Sequence, residues 1–215
     1  MPQSAWGRTG ESPRSFGALP LGWRGRDVLL PVAHDEAFWL SFDPADAETS
    51  SAIRIAVSAT TLRDAVSGGD WSSKMQIRPQ NYVVCPPQRA INGVAEVDRP
   101  FRPFARVTLM PEFFQCCALD LYAIPPLRRM APQQPTRPIG LQPHPLSSCG
   151  PIGIAQNRSG AAEILPDLLG PAAWDVARIA RVRVRLVSPE CFRAETGIAS
   201  VPLSPESHYR GWLLP

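Results

Sequence analysis

Proline decides what this chain can fold into. It supplies 25 of 215 residues, about 12% against an ordinary share near 5%. Each ring fixes φ and removes a backbone donor, so it ends helices and is kept out of central strands. Strands must therefore be short, connections long and irregular, and helix scarce. The apolar share of 44% with 19% charged residues is that of a globular chain able to bury a core. The fold class this predicts is mainly β: an antiparallel β-sandwich or open barrel with long Pro-rich connections and minor helix.

The strands are found by period-two alternation. Residues 26–32 form a first candidate. Residues 37–42 form a second, with Phe38, Leu40 and Phe42 on one face and Trp39 and Ser41 on the other. In residues 53–58, Ile53, Ile55 and Val57 point inward. Residues 81–85 stop at Pro86-Pro87. Further strands are expected at 104–110, at 150–156 and in the alternating stretch 179–187. Ser67-Gly-Gly-Asp70 is a turn, and Asn92-Gly93 carries the tight-turn signal. Helix is expected at 189–195, stopped by Gly197, with another turn near Ala161 or Pro166. Residues 1–22 form a flexible arm, although Trp6, Phe16 and the adjoining Trp23 suit packing on the body or on a partner better than solvent. Residues 23–215 form a single β-rich domain with a Pro-rich excursion at about 111–148, the first part of which, 113–122, is apolar enough for a core.

Several blocks occur in a familiar order: residues 37–42, 53–57, Asn81-Tyr-Val-Val-Cys-Pro-Pro-Gln88, Ile91-Asn-Gly-Val94, Arg102-Pro-Phe-Ala105 and 187–197 with Phe192 and Thr196-Gly197. The chain thereby resembles a group of uncharacterised bacterial and fungal proteins. Their pattern is a "DYVVVPxQPWLDGI" segment, then "RQFVAMP", then "FxxxTG" and a proline-rich tail. Ala90 stands where the group has Trp and Asn92 where it has Asp, and residues 111–148 look like a replacement or insertion. The resemblance implies a β-rich fold and no particular activity.

Composition narrows the function classes. Lys74 is the only lysine among 22 basic residues, and the net charge is +3. The arginine excess suits carboxylate or phosphate recognition, or follows simply from a GC-rich genome. The small surplus makes nucleic acid an unlikely partner. Five cysteines without a CxxC motif point to neither a disulfide framework nor a zinc knuckle. No apolar leader or run of 18 apolar residues is present, so a cytoplasmic chain without a transmembrane segment is expected. No P-loop, GxGxxG, GxSxG or HExxH occurs, and no cofactor is called for.

Arg181, Arg183 and Arg185 project from one face of the last strand and are the first binding candidates, either as anchors or as a solvated face salted by a neighbouring carboxylate. Arg99, Arg102 and Arg106 would extend them if their strands were adjacent. Trp39 and Trp212 are the aromatic candidates. His34-Asp35-Glu36 is the densest ligand-like cluster and a weak metal candidate. Cys85 would need an activating histidine, from His34, His144 or His208. Cys116-Cys117, with Cys149, has no established ligand spacing. The leading expectation is a non-catalytic protein-binding or assembly module with a protein partner or a second copy. The alternatives are a carbohydrate or small-ligand β-sandwich with a Trp platform, and a thiol- or His-dependent hydrolase.

Overall fold

The computed structural model describes residues 19–33, 36–42, 49–58, 61–95, 102–105, 117–128, 152–153 and 164–199. In chain order the strands are β1 (Gly22–Arg24), β2 (Asp27–Pro31), β3 (Glu36–Phe38), β4 (Leu40–Ser41), β5 (Ser51–Ser58), β6 (Leu62–Asp64) and β7 (Val83–Cys85). They continue with β8 (Ala90–Ile91), β9 (Gly93–Val94), β10 (Arg102–Ala105), β11 (Cys117–Ile124), β12 (Ile152–Gly153) and β13 (Ala180–Val187). One helix, α1 (Pro189–Thr196), follows. Most strands are five residues or fewer, as the prolines demand.

The protein is mainly β. Its principal sheet has seven strands in the order β1-β2-β13-β11-β5-β6, with β7 sharing the outer edge of β5. Small sheets β12-β3-β10-β9 and β4-β8 accompany it. The expected antiparallel sheet is corrected to a mixed one, because β2 and β13 run parallel, with Val28 opposite Val184 and Leu30 opposite Leu186. Among the described residues the sheet stays open and closes no barrel. One face contributes Val28, Leu30, Ile55, Val57, Leu119, Val184 and Leu186 to a core cluster that also holds Phe38, Leu40, Ile91, Val94 and Phe104 from the small sheets. Phe38 and Phe104 stack with centroids 5.5 Å apart.

Four local expectations change. Residues 37–42 are not one strand: β3 pairs with β10 and β12, while β4 pairs with β8. Phe38, Trp39 and Leu40 are all buried, so two-sided burial replaces the alternation. Asn92-Gly93 makes no tight turn. Asn92 is 2% exposed, its carbonyl accepts from the Phe104 amide, and the chain runs straight from β8 into β9. The excursion drawn at 111–148 contains β11, which lies between β5 and β13 at the middle of the principal sheet. Near Pro166 there is no helix; short 3-10 turns come later, at Pro171–Ala173 and Val176–Arg178. Ala161 and residues 1–18, most of the proposed arm, lie outside the described residues, and Gly22 at its end belongs to β1.

Helix α1 has the capping its sequence announces. The Ser188 hydroxyl accepts from the Cys191 amide, Pro189 begins the helix, and Gly197 ends it at φ 71°. Its fully buried Phe192 packs with Leu29 and Val187. Gly22 lets β1 approach this helix. A Cβ there would lie 2.9 Å from Phe192 Cε2 and collide with the Thr196 methyl. Gly22→Ala is therefore expected to lower the unfolding free energy by about 1–3 kcal/mol, read from the urea midpoint. An unchanged midpoint would mean that α1 is free to move away from β1.

Candidate functional site: the arginine face of the principal sheet

Alternation along β13 sends Val184 and Leu186 to the core and Arg181, Arg183 and Arg185 to the opposite face. The register then decides their neighbours. Arg183 sits across from Asp120 of β11 on one side and Asp27 of β2 on the other, and Arg181 sits across from Tyr122. Asp120 has a side chain only 3% exposed and accepts from both arginines. Arg183 donates through Nε at 2.9 Å and Nη2 at 3.0 Å, one nitrogen to each carboxylate oxygen. Arg181 Nε lies 3.2 Å and Nη2 3.0 Å from Asp120 Oδ1. Burial alone would raise the Asp120 carboxyl. The hydrogen bonds and charges of Arg183 and Arg181 outweigh it and hold the group below the usual carboxylate range. The same bond to Asp120 raises Arg183.

A column of cations and rings crosses this face. Arg54 lies over the Trp71 ring at 4.1 Å, Trp71 stacks on Tyr122 at 5.1 Å, and Arg181 stands 5.7 Å from the Tyr122 ring. Arg54 is 2% exposed. It donates to the carbonyls of Ser72 and Ser73 and pairs loosely with buried Asp64 at 3.7 Å. Burial lowers Arg54 and raises Asp64, although Asp64 also accepts from Val66 and Ser67. Arg54 Nε and Asp64 Oδ2 have no hydrogen-bond partner among the described residues.

Beside the arginines is a half-open hollow lined by Arg26, Asp27, Arg181 and Arg183. Arg26 reaches it from the β1–β2 hairpin. Gly25 takes the first loop position at φ 62°, a conformation that suits glycine there. Arg185 is half-buried further along β13, and the adjoining Arg24 pairs with Glu195 of α1 at 2.7 Å. The sequence pointed to the three β13 arginines but not to Asp120, Tyr122 or Arg26.

The other candidates are dispersed. Trp39 is 1% exposed, so its ring is interior and offers no platform. Trp174 is buried too, whereas Trp23, at 68% exposed on β1, is the only exposed tryptophan among the described residues. Trp212, His34, Asp35, His144, His208, Cys116, Cys149, Arg99 and Arg106 lie outside the described residues; Glu36 lies in β3. Arg102 sits on β10 in a small sheet, away from β13. Cys85 is buried and its thiol donates to the Phe42 carbonyl at 3.5 Å, and no histidine lies beside it among the described residues. Cys191 is exposed, but burial and a bond to Glu195 raise its thiol, the reverse of activation. Among the described residues no three His, Cys, Asp or Glu side chains gather around a metal position, and no helix is long and apolar enough to cross a membrane.

A second polar group is wholly interior. Asp167, 3% exposed, accepts from the Tyr82 hydroxyl, from Trp174 Nε1 at 3.0 Å and from the Leu169 amide at 2.9 Å. The Gln80 amide binds the Leu165 carbonyl and the Asp167 amide, and Gln88 Oε1 accepts from the Leu165 amide. These side chains fasten residues 165–169 alongside residues 80–88. No family model matches this chain, and no curated protein or solved structure matches it either.

Proposed function

We propose that the chain is a non-catalytic protein-recognition module whose arginine face takes acidic side chains of a partner protein. One observation carries the reading: a single buried carboxylate, Asp120, holds Arg181 and Arg183 together at the border of an open hollow. A carboxylate used this way fixes two long side chains in advance, so less entropy is lost when they bind. The two side chains remain 48% and 42% exposed. Each guanidinium has five N–H donors, and Asp120 occupies two nitrogens of each. Arginine is also the charged residue favoured at protein interfaces. The sandwich reading of the fold belongs to the same proposal. The small sheets lend their apolar residues to one face of the principal sheet, and on the other face the Trp71 segment covers Arg54, which leaves the β13 arginines for contact.

The test is fluorescence anisotropy of a labelled decaglutamate peptide against the full chain at low salt. Saturable binding is expected, weakening as salt screens it. The Arg26→Ser/Arg181→Ala variant keeps the bidentate Arg183–Asp120 pair and should bind about tenfold more weakly, a change of about 1.4 kcal/mol, with an unchanged melting temperature. Binding of equal strength by parent and variant, or none by the parent, would overturn the reading.

A further inference from the structure

We infer that the hollow bordered by Arg26, Arg181 and Arg183 is a subsite for one carboxylate group, that of a partner's aspartate, glutamate or C-terminus, and that it discriminates against phosphate dianions. The inference rests on the arginine face being the partner-binding surface and adds which anion it selects.

Charge supports the choice. Three guanidinium groups face two carboxylates, Asp27 on the wall and Asp120 beneath. The surplus is a single positive charge, which a carboxylate neutralises. A phosphate dianion would leave the site net negative and would bring its second charge against Asp27 and Asp120. Geometry agrees. Arg183 already meets Asp120 through two parallel N–H···O bonds, the fork that fits a planar carboxylate. Its Nη1 takes no part in that pair. The Arg181 guanidinium is anchored on Asp120 through Nε and Nη2 and stands against the Tyr122 ring, so the Nη1 ends of both arginines are held in place before any ligand arrives. Asp120 here is a positioning residue. Asp27, across from Arg183 in the register, supplies the discrimination by repelling excess negative charge.

The experiment uses the full chain with arginine Nε–H groups labelled for NMR. It is titrated at constant ionic strength with a capped Gly-Gly-Glu-Gly-Gly peptide, its Gln counterpart, its phosphoserine counterpart and dimethyl phosphate. At pH 8 the phosphoserine is a dianion, its second pKa being about 6. The Glu peptide is expected to shift the Arg181 and Arg183 signals saturably, and the Gln peptide to leave them in place. The phosphoserine peptide should bind about tenfold more weakly than the Glu peptide, and dimethyl phosphate, a monoanion, no more tightly than the Glu peptide. Asp27→Asn should raise phosphoserine affinity relative to Glu. Arg183→Lys, which keeps the charge and loses the fork, should weaken the Glu peptide while leaving decaglutamate binding measurable. Shifts that never saturate, or a phosphoserine peptide that binds as tightly as the Glu peptide, would sink the subsite. A preference for dimethyl phosphate would reassign it to a phosphodiester. If decaglutamate still binds in any of these cases, the surface reading survives without the subsite; if decaglutamate also fails, both fall.

Discussion

Asp167→Ala is expected to lower the unfolding free energy by roughly 3–5 kcal/mol. The carboxylate serves three donors at once, and two of them, the Tyr82 hydroxyl and Trp174 Nε1, belong to residues 0% and 3% exposed. Without it, the buried phenol and indole keep the cost of leaving water and lose what offset it. The loop amide of Leu169 is released as well. Tyr82→Phe should cost much less, about 1 kcal/mol, because Asp167 then keeps the indole and the amide. The two variants can be ranked in one series of urea unfolding curves. A ranking in which Tyr82→Phe is the more damaging would show that the phenol, not the carboxylate, organises the cluster. Burial first, and then the bond and charge of Asp167, raise the Tyr82 phenol above its ordinary value. A raised folded value means that stability is complete below the unfolded pKa of about 10 and is lost as pH rises further. The parent should therefore weaken in alkali, and Tyr82→Phe should not share that part of the loss.

A loss of similar size, about 3–5 kcal/mol at pH 7, is expected for Arg54→Leu. Leucine fills part of the space but leaves Asp64, 1% exposed, without its cation. It also frees the Ser72 and Ser73 carbonyls and removes the cation over Trp71. The pH dependence separates charge from packing. Burial already raises Asp64 in the parent, and removing Arg54 withdraws an influence that lowers it. A carboxyl with a raised folded value is best tolerated below its unfolded pKa, about 3.9, and stability falls as pH rises through the folded value. The deficit of the variant should thus be smaller at pH 4.5 than at pH 7. Urea unfolding at both values checks this, and an equal deficit would assign the loss to packing and the two carbonyls.

The sequence is most readable where one face of a strand is wet and the other dry. β13 alternates because its arginines stand on the solvated face, and β5 alternates through Ile53, Ile55 and Val57. Arg54, between two of those residues, reads as a surface residue and is in fact buried, because the Trp71 segment folds over that side of β5. Two-sided burial also hides the break at Trp39, since Phe38, Trp39 and Leu40 are all buried. Helix α1 is legible to within a residue, since Ser188, Pro189 and Gly197 act locally. The partner of Arg183 is not local. Asp120 lies 63 positions away, and only the register of β11 against β13 brings the two together. A signal does exist: an aspartate between Leu119 and Leu121 in an apolar run needs a cation once that run becomes a strand. Naming the cation requires the topology.

The parallel contact between β2 and β13 has a consequence for how the protein is made. Residues 27–31 leave the ribosome well before their neighbour in the sheet, which is the last described strand to be synthesised. Until then the β1–β2 hairpin has an open edge, and so does β11, which β13 also covers. Loop closure over such separations is slow, and open strand edges invite pairing with other chains. Nascent chains stalled before β13 are therefore the form most exposed to aggregation, and the arginine face itself is assembled only when translation is almost through the described fold.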